Sequence, residues 1–256
     1  MTRLLAGMLL CLSLAGLSPA GAANRTGTDF GDMWWNPSES GWGVNIDHQG
    51  TTVFMTLYSY GADGKSKWFI ASNMPSQGAF VFAGTLLEAS GPVLANSFNP
   101  AAVTYRQVGN ATLTFTSIST ANLTVSIDGT SVTKAIQRYT FATNSMDGSY
   151  IGGIVAVQRS CGATSRSAAT YTITQSGNTA TIAMQTDAGL NCTMSGNYAQ
   201  DGRMGTLIGS QTCTNGTTGQ FQAFEIETGY QGLFARYSIL YPNGCTESGR
   251  FGGLAQ

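Results

Sequence analysis

Hydrophobic and polar residues alternate along most of this chain. Leu113 and Phe115 alternate with threonines, and Leu123, Val125 and Ile127 alternate with a threonine and a serine. A repeat of two indicates antiparallel strands that bury one face and expose the other to water. Turn residues recur about every ten positions without helical periodicity, which is typical of barrels and sandwiches.

This pattern predicts eight strands in each half of the chain. In the first half the predicted strands are 41–47, 52–60, 65–73, 80–88, 103–108, 111–118, 122–127 and 131–141. In the second half they are 149–158, 170–175, 179–186, 192–200, 203–213, 220–227, 232–240 and 246–254. We therefore predict an all-β protein with two eight-stranded antiparallel up-and-down barrels or half-barrels, and a β-sandwich is the alternative.

The N-terminus has the features of a secretory signal. Arg3 precedes an apolar run at 4–17, and the small residues Ala20, Gly21 and Ala22 follow it. These features predict a signal peptide over 1–23, a run too short to span a membrane, and a secreted or periplasmic protein. The predicted domains are 24–141 and 148–256, separated by a small, polar segment.

Composition narrows the classes of partner and cofactor. Charged residues make up 10% of the chain and its net charge is −1, against about 25% charged residues in typical globular proteins. Without a basic patch, nucleic acid is not expected as a partner. The glycines lie at strand ends rather than in phosphate-binding loops, so no cofactor is predicted.

Four cysteines remain after the predicted signal, and all lie in the second half. An even number in an exported chain predicts disulfides rather than a metal site, since no Cys-x-x-Cys pair is present. Strands paired around Asp201 would place Cys192 opposite Cys213. If the first and last strands of this half close a barrel, Cys161 meets Cys245, so this second pair depends on barrel closure.

The motif WWNPSESGWG at 34–43 holds three of the four tryptophans. One hypothesis is a ligand platform of aromatic rings and hydrogen-bonding groups, formed by Trp34, Trp35, Asn36 and Glu39. The other is a structural plug in which Trp42 closes the barrel beneath Arg138 of the last strand, as a cation–π pair. We assign Trp42 and Arg138 to the plug, and Trp34 and Trp35 to the ligand platform.

Candidate catalytic groups are few. His48 is the only histidine, and its place in a predicted turn favours a solvated residue over a catalytic one. Paired carboxylates could support a hydrolase near Glu39 and Asp47, whereas Glu225 and Glu227 are expected to face solvent. No catalytic residue is therefore assigned.

The sequence resembles a module of exported proteins in Gram-negative bacteria. The resemblance rests on WWNPSESGWG and the segment TLYSYGADGKSKWF, while GSYIGG, CTMSGNYAQDGRMG and CTESGRFGG resemble a companion module. It implies export and the domain boundaries, but no catalytic residues.

We therefore expect an exported, non-enzymatic binding or interaction protein. Its partner would be a small ligand, a glycan or a secreted protein such as a protease, with 24–33 as a segment that could enter a protease cleft. A carboxylate-based hydrolase and a structural accessory module are the alternatives.

Overall fold

The structure, a computed structural model, describes residues 27–95 and 97–256. The predicted signal peptide and its cleavage site lie outside these residues. The described residues form two closed, eight-stranded antiparallel barrels, in which sequential strands are neighbours. Both sheets close, so the alternative of a β-sandwich is wrong.

The first barrel contains eight strands: β1 (Asp32–Trp35), β2 (Gly43–Gln49), β3 (Thr52–Tyr60), β4 (Ser66–Gly78), β5 (Val81–Ser90), β6 (Thr104–Phe115), β7 (Thr120–Ile127) and β8 (Thr130–Arg138). The barrel closes where β1 pairs with both β2 and β8. A 3₁₀ turn, Pro100–Ala102, precedes β6.

Two of the predicted strand assignments in this barrel are wrong, and their errors cancel in the count. The segments 103–108 and 111–118 belong to one strand, β6, while β1 lies before the predicted first strand. Gly109 explains the first error, because it looks like a turn residue but lies at a bulge where β6 bends against β5. A Cβ atom there would lie 2.0 Å from the carbonyl oxygen of Ser126.

The second barrel contains the other eight strands: β9 (Gly148–Arg159), β10 (Ser165–Ser176), β11 (Thr179–Thr186), β12 (Asn191–Asp201), β13 (Met204–Cys213), β14 (Thr218–Gly229), β15 (Gly232–Leu240) and β16 (Thr246–Ala255). It closes where β9 pairs with β10 and β16. Each predicted strand of this half corresponds to one of these.

Two disulfides brace the second barrel, in the pairs that the sequence predicts. Cys192 and Cys213 are directly opposed on β12 and β13, with Cα atoms 4.0 Å apart. The other bond joins Cys161 to Cys245. Because β9 and β16 pair along the seam of the barrel, the loops that carry this second pair meet.

Large side chains fill both interiors. The first core contains Phe30, Trp34, Phe82 and Phe115, and Phe30 stacks on Phe115 with ring centroids 3.7 Å apart. The second core is built around Tyr171, Tyr237, Phe221 and Phe251. Eight strands enclose a space that side chains can fill, so the alternating apolar positions account for both barrels.

The barrels meet end to end. Arg203, in the turn between β12 and β13, forms an ion pair with Asp29, and its backbone N–H donates to Asp32 Oδ2 at 3.0 Å. The backbone N–H of Gly202 donates to the Thr140 hydroxyl at 2.7 Å. We call this contact the joint, and the opposite end of each barrel its distal mouth. None of the described residues forms a helix with the length and apolar character needed to cross a bilayer.

Candidate functional site

The plug of the first barrel is formed by Trp34, not by Trp42. The guanidinium of Arg138 lies over the Trp34 ring, 5.0 Å from its centroid. The two residues are directly paired between β1 and β8, and the ring is 1% exposed. The prediction that Arg138 covers Trp42 is therefore wrong, because β1 begins earlier than the sequence suggested.

Arg138 is fully engaged at the joint end of the barrel. It forms a buried ion pair with Asp32 at 2.8 Å. It also donates to three backbone carbonyls, those of Asp29, Gly31 and Ile118. Burial lowers the pKa of this guanidinium, while Asp32 opposes that shift. These bonds occupy the Arg138 guanidinium within the protein, so the role of Arg138 is structural.

Trp34 and Trp35 face opposite sides of the barrel wall, as neighbours on a strand must. The Trp34 indole N–H donates to the Phe30 carbonyl inside the barrel. Trp34 thus cannot serve as a ligand platform, and that prediction is wrong. Trp35 lies on the outer surface, where its ring packs edge-on against Tyr139 with centroids 5.0 Å apart.

The other residues of the motif hold the loop between β1 and β2. Asn36 Oδ1 accepts a hydrogen bond from the Ser38 backbone N–H. Glu39 accepts one from the Trp42 indole N–H at 3.1 Å and one from Lys134 at 2.8 Å. The Lys134 hydrogen bond lowers the pKa of Glu39. Asn36 and Glu39 are therefore engaged within the protein.

Trp42 is partly buried against the core at the distal mouth of the first barrel. It packs there beside the Glu39–Lys134 ion pair. It therefore helps to cover the end opposite Trp34, without contact from Arg138.

A row of aromatic rings, exposed at Tyr58 and Trp68 and partly buried at Trp35, crosses the outside of the first barrel. Trp35 is opposite Gly43, Gly43 is opposite Tyr58, and Tyr58 is opposite Trp68. Tyr58 and Trp68 are each about half exposed. Neighbouring strands lie about 4.8 Å apart, so Trp35 and Tyr58 are separated by about 10 Å with Gly43 between them. We call these three rings the aromatic row.

Gly43 creates a recess within this row. The recess has a volume of about 270 Å³, and its lining is Met33, Trp34, Trp35, Ser40, Gly41, Trp42, Gly43, Val44, Tyr58 and Tyr139. None of these residues is charged. Because glycine has no side chain, the floor lies below the rings on either side. A Cβ atom at Gly43 would also approach the Trp34 carbonyl oxygen to 2.9 Å.

Three of the four candidate acid–base carboxylates pair with basic side chains, and the fourth, Asp47, is exposed on β2. Glu39 pairs with Lys134, as described above. Glu225 pairs with Arg236 at 3.3 Å and Glu227 with Arg203 at 3.3 Å. Glu225 has a left-handed backbone (φ 52) at a bulge of β14 and its side chain is only 10% exposed, so its predicted orientation toward solvent is wrong.

His48 is buried rather than solvated. Its side chain is 4% exposed, and its Nδ1 accepts a hydrogen bond from the Phe30 backbone N–H at 3.2 Å. Its ring also stacks on Phe30 with centroids 5.8 Å apart. The expectation of a solvated turn residue is therefore wrong, because His48 belongs to β2 and helps to close the joint end.

A cleft of about 550 Å³ lies between the barrels at the joint. Asp29 lies on its edge. Burial raises the pKa of Asp29, but His48, the Gly31 backbone N–H and Arg203 together lower it to about 2. Arg203 also pairs with Glu227 of its own barrel, so it links Asp29 of the first barrel to the wall of the second.

A wider groove of about 920 Å³ runs along the outside of the second barrel. Its lining includes the neutral side chains of Gln158, Gln222, Ser238 and Ser248, together with Arg159 and Glu247. Ser248 donates to Gln158 Oε1 at 3.3 Å. Phe221 is the one aromatic ring in this lining and it is buried in the core, so the groove offers no exposed aromatic surface.

Sequence reasoning missed Tyr58, Trp68 and Tyr139. The signal for Tyr58 was present, since Met55 and Leu57 point inward on β3. The next residue must then point outward. Among the described residues, no three His, Cys, Asp or Glu side chains converge to hold a metal ion.

The sequence matches no family model, and no curated protein is detectably similar to it.

Proposed function

We propose that this protein is a non-enzymatic binding protein that recognises a neutral glycan at the recess and along the aromatic row. The observation that supports this proposal is the alignment of Trp35, Tyr58 and Trp68 around an uncharged hollow at Gly43. Contiguous exposed apolar surface in a soluble domain commonly marks an interaction site.

The chemistry of the recess favours a sugar ring. Tyrosine and tryptophan offer large, rigid contact surfaces at a low cost in conformational entropy. The C–H face of a sugar stacks on such rings, and its hydroxyls can reach polar groups at the edge, such as Ser40. The recess accommodates one ring, and Trp68 extends the surface for further units. The uncharged lining favours a neutral glycan over a charged one.

The alternatives have less structural support. The segment proposed to enter a protease cleft includes Phe30, which is 1% exposed, and Asp29 and Asp32, which are ion-paired at the joint. Residues held in this way are not presented to a partner. For a hydrolase, Glu39 would have to leave Lys134 and Trp42.

We also infer that the protein acts outside the cytoplasm. Disulfides persist in oxidising compartments and are rare in the cytosol, and the structure contains two. Mass spectrometry of the protein from the periplasm and culture medium should show a chain without residues 1–23. A chain that retains Met1 and stays in the cytoplasm would contradict this inference.

Titration with chitohexaose and cellohexaose, followed by tryptophan fluorescence and calorimetry, tests the glycan proposal. Trp35→Ala and Tyr58→Ala should each weaken binding at least about tenfold, the loss typical of a central ring in an interface. Tyr105→Ala is the matched control, because Tyr105 is an exposed ring of the same barrel outside the recess.

Equal losses in all three variants, or no saturable binding of either hexamer, would refute recognition at the recess. Binding that needs Trp35 and Tyr58 but is stronger for a protein partner than for either glycan would replace the glycan with a protein.

A further inference from the structure

The distal mouth of the second barrel contains a cavity of about 220 Å³. The turns that follow Arg159, Thr186, Cys213 and Leu240 surround it. Both disulfides lie at this end, and Cys192 and Cys213 line the cavity itself. The size is below that of sites for drug-sized ligands, about 300–1,000 Å³, so it suits a single small ring or short chain.

Glu247 is the buried charge of this cavity, and the residue is 9% exposed. Its Oε1 accepts from the Tyr237 hydroxyl at 2.8 Å, and its Oε2 accepts from the Tyr241 hydroxyl at 3.2 Å. Arg159 Nε lies 2.8 Å from Oε2. Burial, with Glu247 beside them, raises the pKa of both tyrosines, which keeps their protons on the hydroxyls.

The two charges of the Glu247–Arg159 ion pair lie at different depths. The Glu247 side chain is 10% exposed, whereas that of Arg159 is 32% exposed. Arg159 also donates to the Ala163 carbonyl at the rim. Water screens the outer charge more strongly than the inner one, so the Glu247 carboxylate is the less screened charge of the ion pair.

Gln211 has an unused acceptor in the same cavity. The residue is 7% exposed, and its amide nitrogen donates to Cys213 Sγ at 3.3 Å. Sulfur is a weak acceptor, and no described residue donates a hydrogen bond to the Gln211 carbonyl oxygen. The Gln211 oxygen keeps accessible surface in the cavity, because Arg203 Nε is the one fully buried polar side-chain atom without a partner among the described residues. Thr186 exchanges hydrogen bonds with the Leu190 backbone, so its hydroxyl does not supply the missing donor.

Several hydrogen-bond acceptors remain available in this cavity, although its lining also contains the donors Arg159, Ser165, Ser167, Asn215 and Thr217. Tyr237 and Tyr241 use their protons on Glu247, which leaves their oxygens able to accept. Met184 and Ile239 provide an apolar wall. A small ligand with several hydrogen-bond donors and an apolar body matches these acceptors and this wall.

We propose that this mouth binds a small primary ammonium compound, whose cationic nitrogen donates to Gln211 and lies beside Glu247. The three N–H donors of an ammonium match acceptors that the protein leaves unsatisfied, and its charge matches the deeper member of the ion pair. The site is in the other barrel from the aromatic row and does not depend on glycan binding.

Calorimetric titration with cyclohexylamine and cyclohexanol at neutral pH tests this assignment. The two probes share their ring and differ in the ammonium, which is protonated under these conditions. We expect saturable binding of the amine at millimolar concentrations or below, and at least about tenfold weaker binding of the alcohol, since a hydrogen-bonded charge is absent. Equal binding of both probes, or none of the amine, would overturn the proposal.

Two variants locate the binding. Gln211→Leu keeps the size of the side chain and removes the carbonyl, so amine binding should weaken about tenfold while circular dichroism stays native. Glu247→Gln should weaken it at least as much if that variant remains folded. Glu227→Gln, at the joint end, is the matched control and should bind normally. Native-like Gln211→Leu with unchanged affinity would place the amine elsewhere and refute the site.

Discussion

Replacing Trp34 and Trp35 one at a time separates the plug from the binding surface. Trp34 is 1% exposed, lies beneath Arg138 and donates to the Phe30 carbonyl. Removing a large buried ring costs about 3–5 kcal/mol, and the unsatisfied carbonyl adds about 1 kcal/mol. Trp35 packs on the outer surface, so its removal should cost less than about 1 kcal/mol.

The assays are urea and thermal unfolding of the purified mature protein, followed by far-ultraviolet circular dichroism. The first barrel spans residues 32–138, and for a domain of this size about 1 kcal/mol shifts the melting temperature by about 4 °C. Trp34→Ala should therefore lower the melting temperature of this barrel by about 16–24 °C, while Trp35→Ala lowers it by a few degrees. The disulfide-braced second barrel provides an internal reference, since its transition should be less affected.

Trp34→Phe provides a graded control. This variant keeps an aromatic ring beneath Arg138 and loses the indole hydrogen bond. Its free energy of unfolding should therefore lie between those of the parent and Trp34→Ala. If Trp34→Ala and Trp35→Ala have the same free energy of unfolding within about 0.5 kcal/mol, the inward and outward assignments are wrong. A larger loss from Trp35→Ala would contradict the register of β1 outright.

Three further outcomes follow from the structure. Replacing Cys161 and Cys245 with serine should destabilise the second barrel by about 4.5 kcal/mol, and removing the Cys192–Cys213 bond should cost about 3 kcal/mol. The order follows because a disulfide that closes a longer loop constrains the unfolded chain more. Urea midpoints in the opposite order would contradict this argument. Asp29 has a folded pKa of about 2, below its unfolded value of about 3.9, so its stabilising effect is present above about pH 4 and is lost as the pH falls toward 2. Asp29→Asn should accordingly show a smaller loss of stability over that range, and parallel acid titrations would refute the assignment. Gly109→Ala should cost at least about 1–3 kcal/mol through backbone strain, and unfolding of that variant at the parental urea concentration would rule out the close contact with the β7 backbone.

The fold class could be predicted from alternation because β-strands encode their two faces directly in the sequence. The alternation of Leu123, Val125 and Ile127 on β7 indicates a strand with one face exposed to water, and these three side chains point into the core. The turn Asp128-Gly129 has positive φ at both residues, as a two-residue hairpin requires. Such signals are local, so they remain correct whatever the rest of the chain does.

The candidate site was harder to predict because it depends on register across strands. Gly43 becomes the floor of a recess only when Trp35 and Tyr58 lie on either side of it. These three residues come from three strands, and no local pattern joins them. Strand β1 adds to the difficulty, since its four residues, DMWW, are too few to show alternation.

The two barrels show why Arg138 could be assigned to the wrong tryptophan. Both barrels are closed at the joint in the same way. A buried residue, Phe30 or Met146, lies four positions before an aromatic residue of the first strand, Trp34 or Tyr150. Trp34 donates to the carbonyl of Phe30, and Tyr150 donates to that of Met146.

The second barrel makes this closure without an arginine, because Tyr150 is opposite Ala255 on the last strand. A plug therefore needs the aromatic hydrogen bond and not the cation. Arg138 has a different role: through Asp32, which also accepts the Arg203 backbone N–H, it connects the plug of one barrel to the turn of the other. The arginine marks the joint between the barrels, and the ring beneath it is the one nearest the joint, Trp34.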